Sequence, residues 1–348
     1  MAKRFLLLLT GLLSPLLADA AGAPPKDAFD LARPEIRGFA ADVAPRVGMT
    51  RAQVLALLGK ARTQKSIVEA MSRPAERSVP WYDYRARFLG EARVTSGVAF
   101  WREHRAELDR VSAERGVPQE YLVAILGVET LYGRQTGRYR VLDALATLSF
   151  DYPPRAAFFR SELEQFLMMA QAGEIDPLAA TGSYAGAMGA PQFMPSSFRR
   201  WAVDETGNGK RDLWKDWSDV FASIANYFIE NGWRAGEPVM VDASGYNTVD
   251  DPLETTVTLK DTVASLRARG YRFDTTLPQD AATVLVPAEL PDAMSWRVGF
   301  NNWYVITRYN RSPLYAMAVH DLATALRTRM AEVPPSAASP AAASGASR

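Results

Sequence analysis

The chain of 348 residues has no cysteine, so disulfides, thiolate metal sites and a cysteine nucleophile are all excluded. It has two histidines, His104 and His320, far apart in sequence. A histidine-rich metal centre is therefore not expected, and each is read as a solvated or core side chain. It also lacks a charge bias: 40 Lys and Arg against 39 Asp and Glu leave a net charge of +1. A nucleic-acid partner would call for a basic excess, so none is expected. No long apolar run occurs after the first twenty residues, which gives no internal membrane span.

What is present begins with an export signal. "MAKR" is a basic start, "FLLLLTGLLSPLLA" an apolar stretch too short for a comfortable span, and Ala18-Asp19-Ala20 a small-x-small cleavage site. With no cysteine behind it there is no lipid attachment point. The mature chain is expected to be soluble, unlipidated and periplasmic.

The organisation reads as follows. Residues 1–20 are the signal and 21–98 form an N-terminal helical region that opens with a Pro/Ala-rich leader. Helix-period apolar positions in "FDLARPEIRGFAADVA" and "MTRAQVLALLGKA" support that region. Residues 99–233 form a core. Within it "VAFWREHRAELDRVSAERG" is read as one amphipathic helix closed by Gly116, with Pro118 in the first turn of the next. Further helices are expected at 155–172 and 216–232. Residues 234–298 form a small β-containing unit with strands at "PVMVDA", "ETTVTL" and "ATVLVPAEL" and a helix at "TVASLRARG". Residues 299–330 return to the core, "NNWYVITRYN" as strand or loop and "PLYAMAVHDLATALRTRM" as a closing helix. The Pro/Ala/Ser-rich tail, 331–348, is expected to be disordered.

One stretch bears directly on chemistry. "YLVAILGVETLYG", residues 121–133, is apolar except for Glu129. A carboxylate is seldom buried without a partner, and desolvation raises its pKa until it becomes a proton donor near neutral pH. On a continuous helix Ile125 and Leu126 would lie one turn before it, Tyr132 and Gly133 one turn after. Alone, the stretch fits a helix-end Glu facing solvent equally well.

Three separated segments, "ILGVETLYGRQTGRYRVLDALATLSFDYPPRAAFF", "GSYAGAMGAPQFMPSSF" and "ITRYN", in that order, resemble the lytic transglycosylase B family. The resemblance implies a mainly α (α+β) fold: a lysozyme-like helical core, an N-terminal helical region and a small α/β insertion. It implies peptidoglycan glycan strands as substrate, with cleavage of the MurNAc-GlcNAc β-1,4 bond to a 1,6-anhydro end. It assigns Glu129 as the single catalytic acid/base and implies substrate contacts at Ser183, Gln192, Tyr227, Tyr309, Asn310 and Arg155. Pro154 and Phe158 depart from the family pattern of "Pro-Arg-Arg" and a following Tyr. Ser and Gln can bond sugar hydroxyls, and Tyr can stack on a sugar face. Met188, Phe193 and Met194 are read as core or cleft wall, and Asp143 and Asp151 as structural.

A second feature is "DETGNGKRDLW", residues 204–214. Oxygen-bearing residues stand at loop positions one, three and five and Gly209 at six, but Lys215 stands where an EF-hand closes with Glu. The resemblance implies a longer calcium loop using Asp204, Thr206, Asn208, the Lys210 carbonyl and Asp219. A turn rich in Asp, Asn and Gly is the competing reading. No cofactor is expected for catalysis, and calcium only in a structural role. A monomer is expected, with cell-wall protein partners left open. Two rival functions remain: a hydrolytic muramidase and a non-catalytic peptidoglycan-binding protein.

Overall fold

The computed structural model describes residues 27–72, 79–245 and 257–332. The export signal, the tail from 333 and the first half of the "ETTVTL" strand lie outside the described residues. The N-terminal region is helical: α1 (Pro34–Val47), α2 (Arg51–Leu58), α3 (Lys65–Ser72) and α4 (Trp81–Ala86). Thr50 opens α2 with a reciprocal cap to Gln53, and a left-handed Gly48 closes α1.

The core follows with α5 (Glu91–Glu103), α6 (Arg105–Arg115), α7 (Gln119–Thr130), the short strand β1 (Tyr139–Arg140) and α8 (Val141–Phe150). After a 3-10 turn (Pro153–Arg155) come α9 (Ala156–Gln171), β2 (Thr181–Gly182), α10 (Pro195–Trp201) and α11 (Trp217–Glu230). The single helix expected over 98–116 is in fact two, broken at His104 (φ −106°, ψ 26°). The break lets the His104 ring enter an aromatic cluster with Phe100, Trp217 and Phe221, at centroid distances of 4.6, 5.1 and 5.9 Å. Gly116 closes α6 in the left-handed conformation, as expected. Pro118 caps α7 from outside rather than sitting in its first turn.

The small unit contains β3 (Met240–Gly245), β4 (Asp261–Thr262), α12 (Val263–Ala268), β5 (Tyr271–Arg272), β6 (Ala282–Glu289) and β7 (Met294–Gly299). These strands form one antiparallel sheet in the order β4-β6-β7-β3-β5. Alternation splits its faces. Val284, Val286 and Ala288 join the main core. Leu285, Trp296 and Val298 pack with α12 and Phe300 in a second core. Of the expected strands, Val257–Lys260 carries no strand.

The chain then returns through α13 (Asn301–Tyr309) and α14 (Pro313–Glu332). The strand or loop expected at 301–310 is a helix. Trp303, Val305, Ile306 and Thr307 imitate strand composition, yet they bury one helical face. Asn302 fixes it there, accepting from Arg234 N–H (2.8 Å) and donating to the Arg234 and Glu237 carbonyls (2.8 and 3.0 Å). Packing overrides β-propensity at this point.

Helices α7 and α8 are buried on nearly every face, the mark of a helix at the centre of a core. Helix α14 lies along α7. Their approach requires Gly127, where an added Cβ would stand 2.8 Å from Leu322 Cδ2 and from the Tyr132 ring.

Candidate active site

Glu129 sits in the last turn of α7, and the helix does not continue past it. Leu131, Tyr132 and Gly133 are all left-handed (φ 50°, 60° and 79°). Tyr132 and Gly133 are therefore not one helical turn beyond Glu129, which corrects the expectation from sequence. Two adjacent non-glycine residues in this region store about 1–3 kcal/mol of strain each, and local bonds hold them. Tyr132 N–H reaches back to the Leu126 carbonyl (2.9 Å). Thr130 Oγ1 accepts from Gly133 N–H (3.0 Å) and donates to the Ala190 carbonyl (2.9 Å). The end of α7 is thus stitched to the Gly-rich segment.

Glu129 itself is half-buried. Tyr315, buried on α14, donates its hydroxyl to Glu129 Oε1 at 2.6 Å. Burial pushes the Glu129 carboxyl up to about 7, against the smaller downward pull of the Tyr315 hydrogen bond. Neither influence is a second carboxylate. Burial, reinforced by the nearby Glu129 carboxylate, in turn holds Tyr315 and Tyr309 well above the usual phenol range. Tyr315 stays a neutral donor.

The other expected substrate residues divide into two groups. Tyr309 stacks on Tyr315 (6.5 Å, 11°), lies 4.8 Å from the Tyr227 ring and donates its hydroxyl to the Pro191 carbonyl (2.6 Å). Gln192, also left-handed (φ 53°), gives its amide N–H groups to the carbonyls of Thr136 (3.1 Å) and Gly189 (2.9 Å). Its amide nitrogen therefore shapes the wall, and only its oxygen can face a sugar. Ser183 Oγ accepts from Ala185 and Ala187 N–H (3.3 and 3.1 Å), which leaves its own hydrogen to donate outward. Tyr227 is buried, and its hydroxyl donates to the Arg308 carbonyl (2.6 Å). Its place is beneath Tyr309 rather than on the surface. Asn310 is exposed at the end of α13. Arg155 is exposed on the 3-10 turn with its guanidinium over the Phe158 and Phe159 rings (4.6 and 5.2 Å). No described contact joins it to the Glu129 group. Met188 and Phe193 are core, and Met194 is half-buried.

The candidate water-activating aspartates are committed elsewhere. Asp143 accepts from Arg140 (2.7 and 2.9 Å) and from Arg62 N–H (2.9 Å). Asp151 pairs with Arg33 at 2.7 Å. Two residues escaped sequence reading. Tyr315 is one. The other is Glu162, buried on α9, whose two oxygens accept from Ser196 N–H (2.9 Å) and Oγ–H (2.7 Å). His320 is half-buried and faces the Tyr121 hydroxyl at 2.9 Å, with its pKa lowered to about 4 by burial.

In the 204–219 loop, Asp219 is fully buried and accepts from Glu205 and Asp212 N–H, both at 2.8 Å. Asp204 accepts from Asn208 and Gly209 N–H (3.1 and 2.7 Å), and Asn208 caps Lys210 N–H (2.9 Å). Thr206 points at Asp216 (3.4 Å), a residue the sequence pattern passed over. Burial, and next the backbone bonds against it, set the Asp219 carboxyl; with the charges of Asp216 and Asp204 adding, its pKa is raised. Among the described residues no group of three or more His, Asp or Glu side chains converges as a ready metal site. The loop's donors are nonetheless the hard oxygens that calcium takes.

The chain as a whole is similar to known proteins. The family model described as "Transglycosylase SLT domain" matches residues 32–324. The membrane-bound lytic murein transglycosylase B of Escherichia coli is 38% identical over 302 residues, 84% of this chain and 82% of that protein. Two solved structures superpose closely. The catenated lytic transglycosylase SltB1 of Pseudomonas aeruginosa has a TM-score of 0.82 at 44% identity, covering 86% of this chain and 98% of that one. The Escherichia coli lytic transglycosylase Slt35 in complex with calcium has a TM-score of 0.78 at 38% identity, covering 88% and 96%.

Proposed function

The chain belongs to the transglycosylase SLT domain family, and we propose that Glu129 alone supplies both the acid and the base of its reaction. The chain is a peptidoglycan-cleaving lytic transglycosylase of mainly α, lysozyme-like fold. The observation that carries the single-residue mechanism is the asymmetry of Glu129: Oε1 is taken by Tyr315, and among the described residues no second carboxylate acts on the group. With Oε1 accepting from a donor, the proton resides on Oε2. It passes to the glycosidic oxygen as the bond from C1 of MurNAc to O4 of GlcNAc breaks. Oε2 then takes the proton of the C6 hydroxyl of the same MurNAc as O6 bonds to C1. Glu129 ends protonated, no water is consumed, and the product is a 1,6-anhydro end.

Intramolecular attack replaces the water-activating base that a hydrolase needs. The Arg-paired Asp143 and Asp151 speak against a hydrolytic reading, and the poised pKa of Glu129 speaks against a non-catalytic one. Ser183, Gln192, Tyr309 and Asn310 are proposed as sugar contacts, Tyr227 as support for Tyr309, and Arg155 as a more distant contact.

We further propose export to the periplasm with the signal removed near Ala20. No described helix is long and apolar enough to cross a membrane. A structural calcium is proposed for the 204–219 loop, held by Asp204, Thr206, Asn208, the Lys210 carbonyl and Asp219, where it would relieve the repulsion among Asp204, Asp216 and Asp219. It takes no part in bond cleavage. The reaction is tested by mass spectrometry of fragments released from purified sacculi. Anhydro-MurNAc ends are expected, and reducing MurNAc ends would overturn the proposal.

A further inference from the structure

A cavity of about 480 Å3 lies between the segment after α9 and residues 210–215, within the size range of small-ligand sites. One wall is apolar, from Ile175 and Ala180, and Trp214 lines it with a half-buried indole. The indole is held firmly. Its N–H donates to the Thr181 carbonyl (3.0 Å), and its ring lies 6.4 Å from Phe198. Lys210 and Lys215 line it too, both exposed and with no acidic partner among the described residues, whereas the lining carboxylates are engaged: Glu174 by Arg211, Asp176 by Leu178 N–H, and Asp212 by Trp214 and Lys215 N–H.

The segments that line the cavity touch the segment that carries Ser183 and Gln192. Thr181, which holds Trp214, is followed by Gly182 and then Ser183. The Leu213 carbonyl accepts from Ala190 N–H (2.8 Å), two residues from Gln192. At Gly189 (φ 67°) an added Cβ would stand 2.4 Å from that same carbonyl, so the two loops touch along their backbones.

An aromatic face, a small apolar wall and unpaired cations match a sugar that bears a carboxylate-carrying peptide. We propose that this cavity is a distal glycan subsite. It takes a saccharide of the same peptidoglycan strand beyond the units at Glu129, stacked on Trp214, with a stem-peptide carboxylate directed to Lys215. The proposal rests on the peptidoglycan reading above.

The test compares substrates of different length, using the full chain, Trp214→Ala and Lys215→Gln. The short substrate is a GlcNAc-MurNAc tetrasaccharide with one scissile bond. The long ones are purified strands, with stem peptides intact or removed by an amidase. Trp214→Ala should raise KM about tenfold on both kinds of long strand, the loss of roughly one well-packed contact. It should leave kcat on them and kcat/KM on the tetrasaccharide within about twofold. Lys215→Gln, an exposed change that removes the charge without adding a carboxylate to the loop, should raise KM only on peptide-bearing strands. Equal losses by Trp214→Ala on short and long substrates, or no loss on either, would overturn the subsite. An equal effect of Lys215→Gln on stripped strands, or none on peptide-bearing ones, would overturn the carboxylate contact. Failure of the unaltered chain to cleave any of these substrates would instead overturn the peptidoglycan reading beneath it.

Discussion

Glu129 and Asp219 are both carboxylates drawn out of water, and both have raised pKa values with burial as the largest cause. They differ in what holds them. Each oxygen of Asp219 accepts a backbone N–H at 2.8 Å, and those bonds tie Glu205 and Asp212 to the start of α11. Among the described residues Glu129 has a single side-chain partner, Tyr315, on one oxygen. Burial alone therefore does not make an acid. A caged carboxylate organises a loop, while one with an uncommitted oxygen at a partly exposed edge can move a proton. Glu162, with both oxygens on Ser196, falls on the structural side of this comparison.

The sharpest break between the two is substitution. Glu129→Gln keeps the shape and the acceptor for Tyr315 but cannot cycle a proton. Turnover on sacculi should fall by at least about a thousandfold. Stability should rise, and the sign follows from linkage. Because the folded pKa lies above the unfolded one, Glu129 costs stability as pH rises from about 4.5 to about 7, and the amide removes that cost. The variant should gain about 1–3 kcal/mol at neutral pH and nothing near pH 4, as read by chemical denaturation. Turnover within about tenfold of the unaltered chain would remove Glu129 from its role.

Asp219→Ala should do the reverse. It strands two part-buried N–H groups and should lower stability by about 1–3 kcal/mol, with cleavage intact at low temperature. Calcium sharpens the same point. If the loop holds the ion, added calcium should raise the melting temperature of the unaltered chain and not that of Asp219→Ala. Coincident melts with calcium and with chelator would leave the loop a plain turn.

A smaller effect is expected for Tyr315→Phe. The hydroxyl pulls the Glu129 pKa down, so its loss should move the alkaline fall in kcat/KM to higher pH and lower kcat about tenfold, with KM little changed. A loss of activity without movement of the pH limb would reduce Tyr315 to packing.

Glu129 was legible in the sequence because one charge in an apolar run is a local signal. Tyr315 was not, for it meets Glu129 from 186 residues away on another helix, and nothing local marks it. The helix expected over 98–116 looked continuous because its apolar period runs through His104. The break arises from ring packing against α11, which no local pattern carries. Helix α13 was hidden by its β-branched and aromatic composition. The EF-hand-like spacing of 204–209 was readable. The part of Asp216 was not, because the loop is longer than the short motif and Thr206 turns toward it only in the folded chain.

The central claim is that a partly buried carboxyl with one free oxygen keeps its proton up to about pH 7. It is tested most directly by isotope-edited infrared spectroscopy of the carboxyl stretch across pH, with Glu129→Gln as the difference reference. The account predicts a protonated Glu129 that titrates near pH 7, moving upward in Tyr315→Phe. A midpoint near 4.5, the value of an ordinary glutamate, would contradict it.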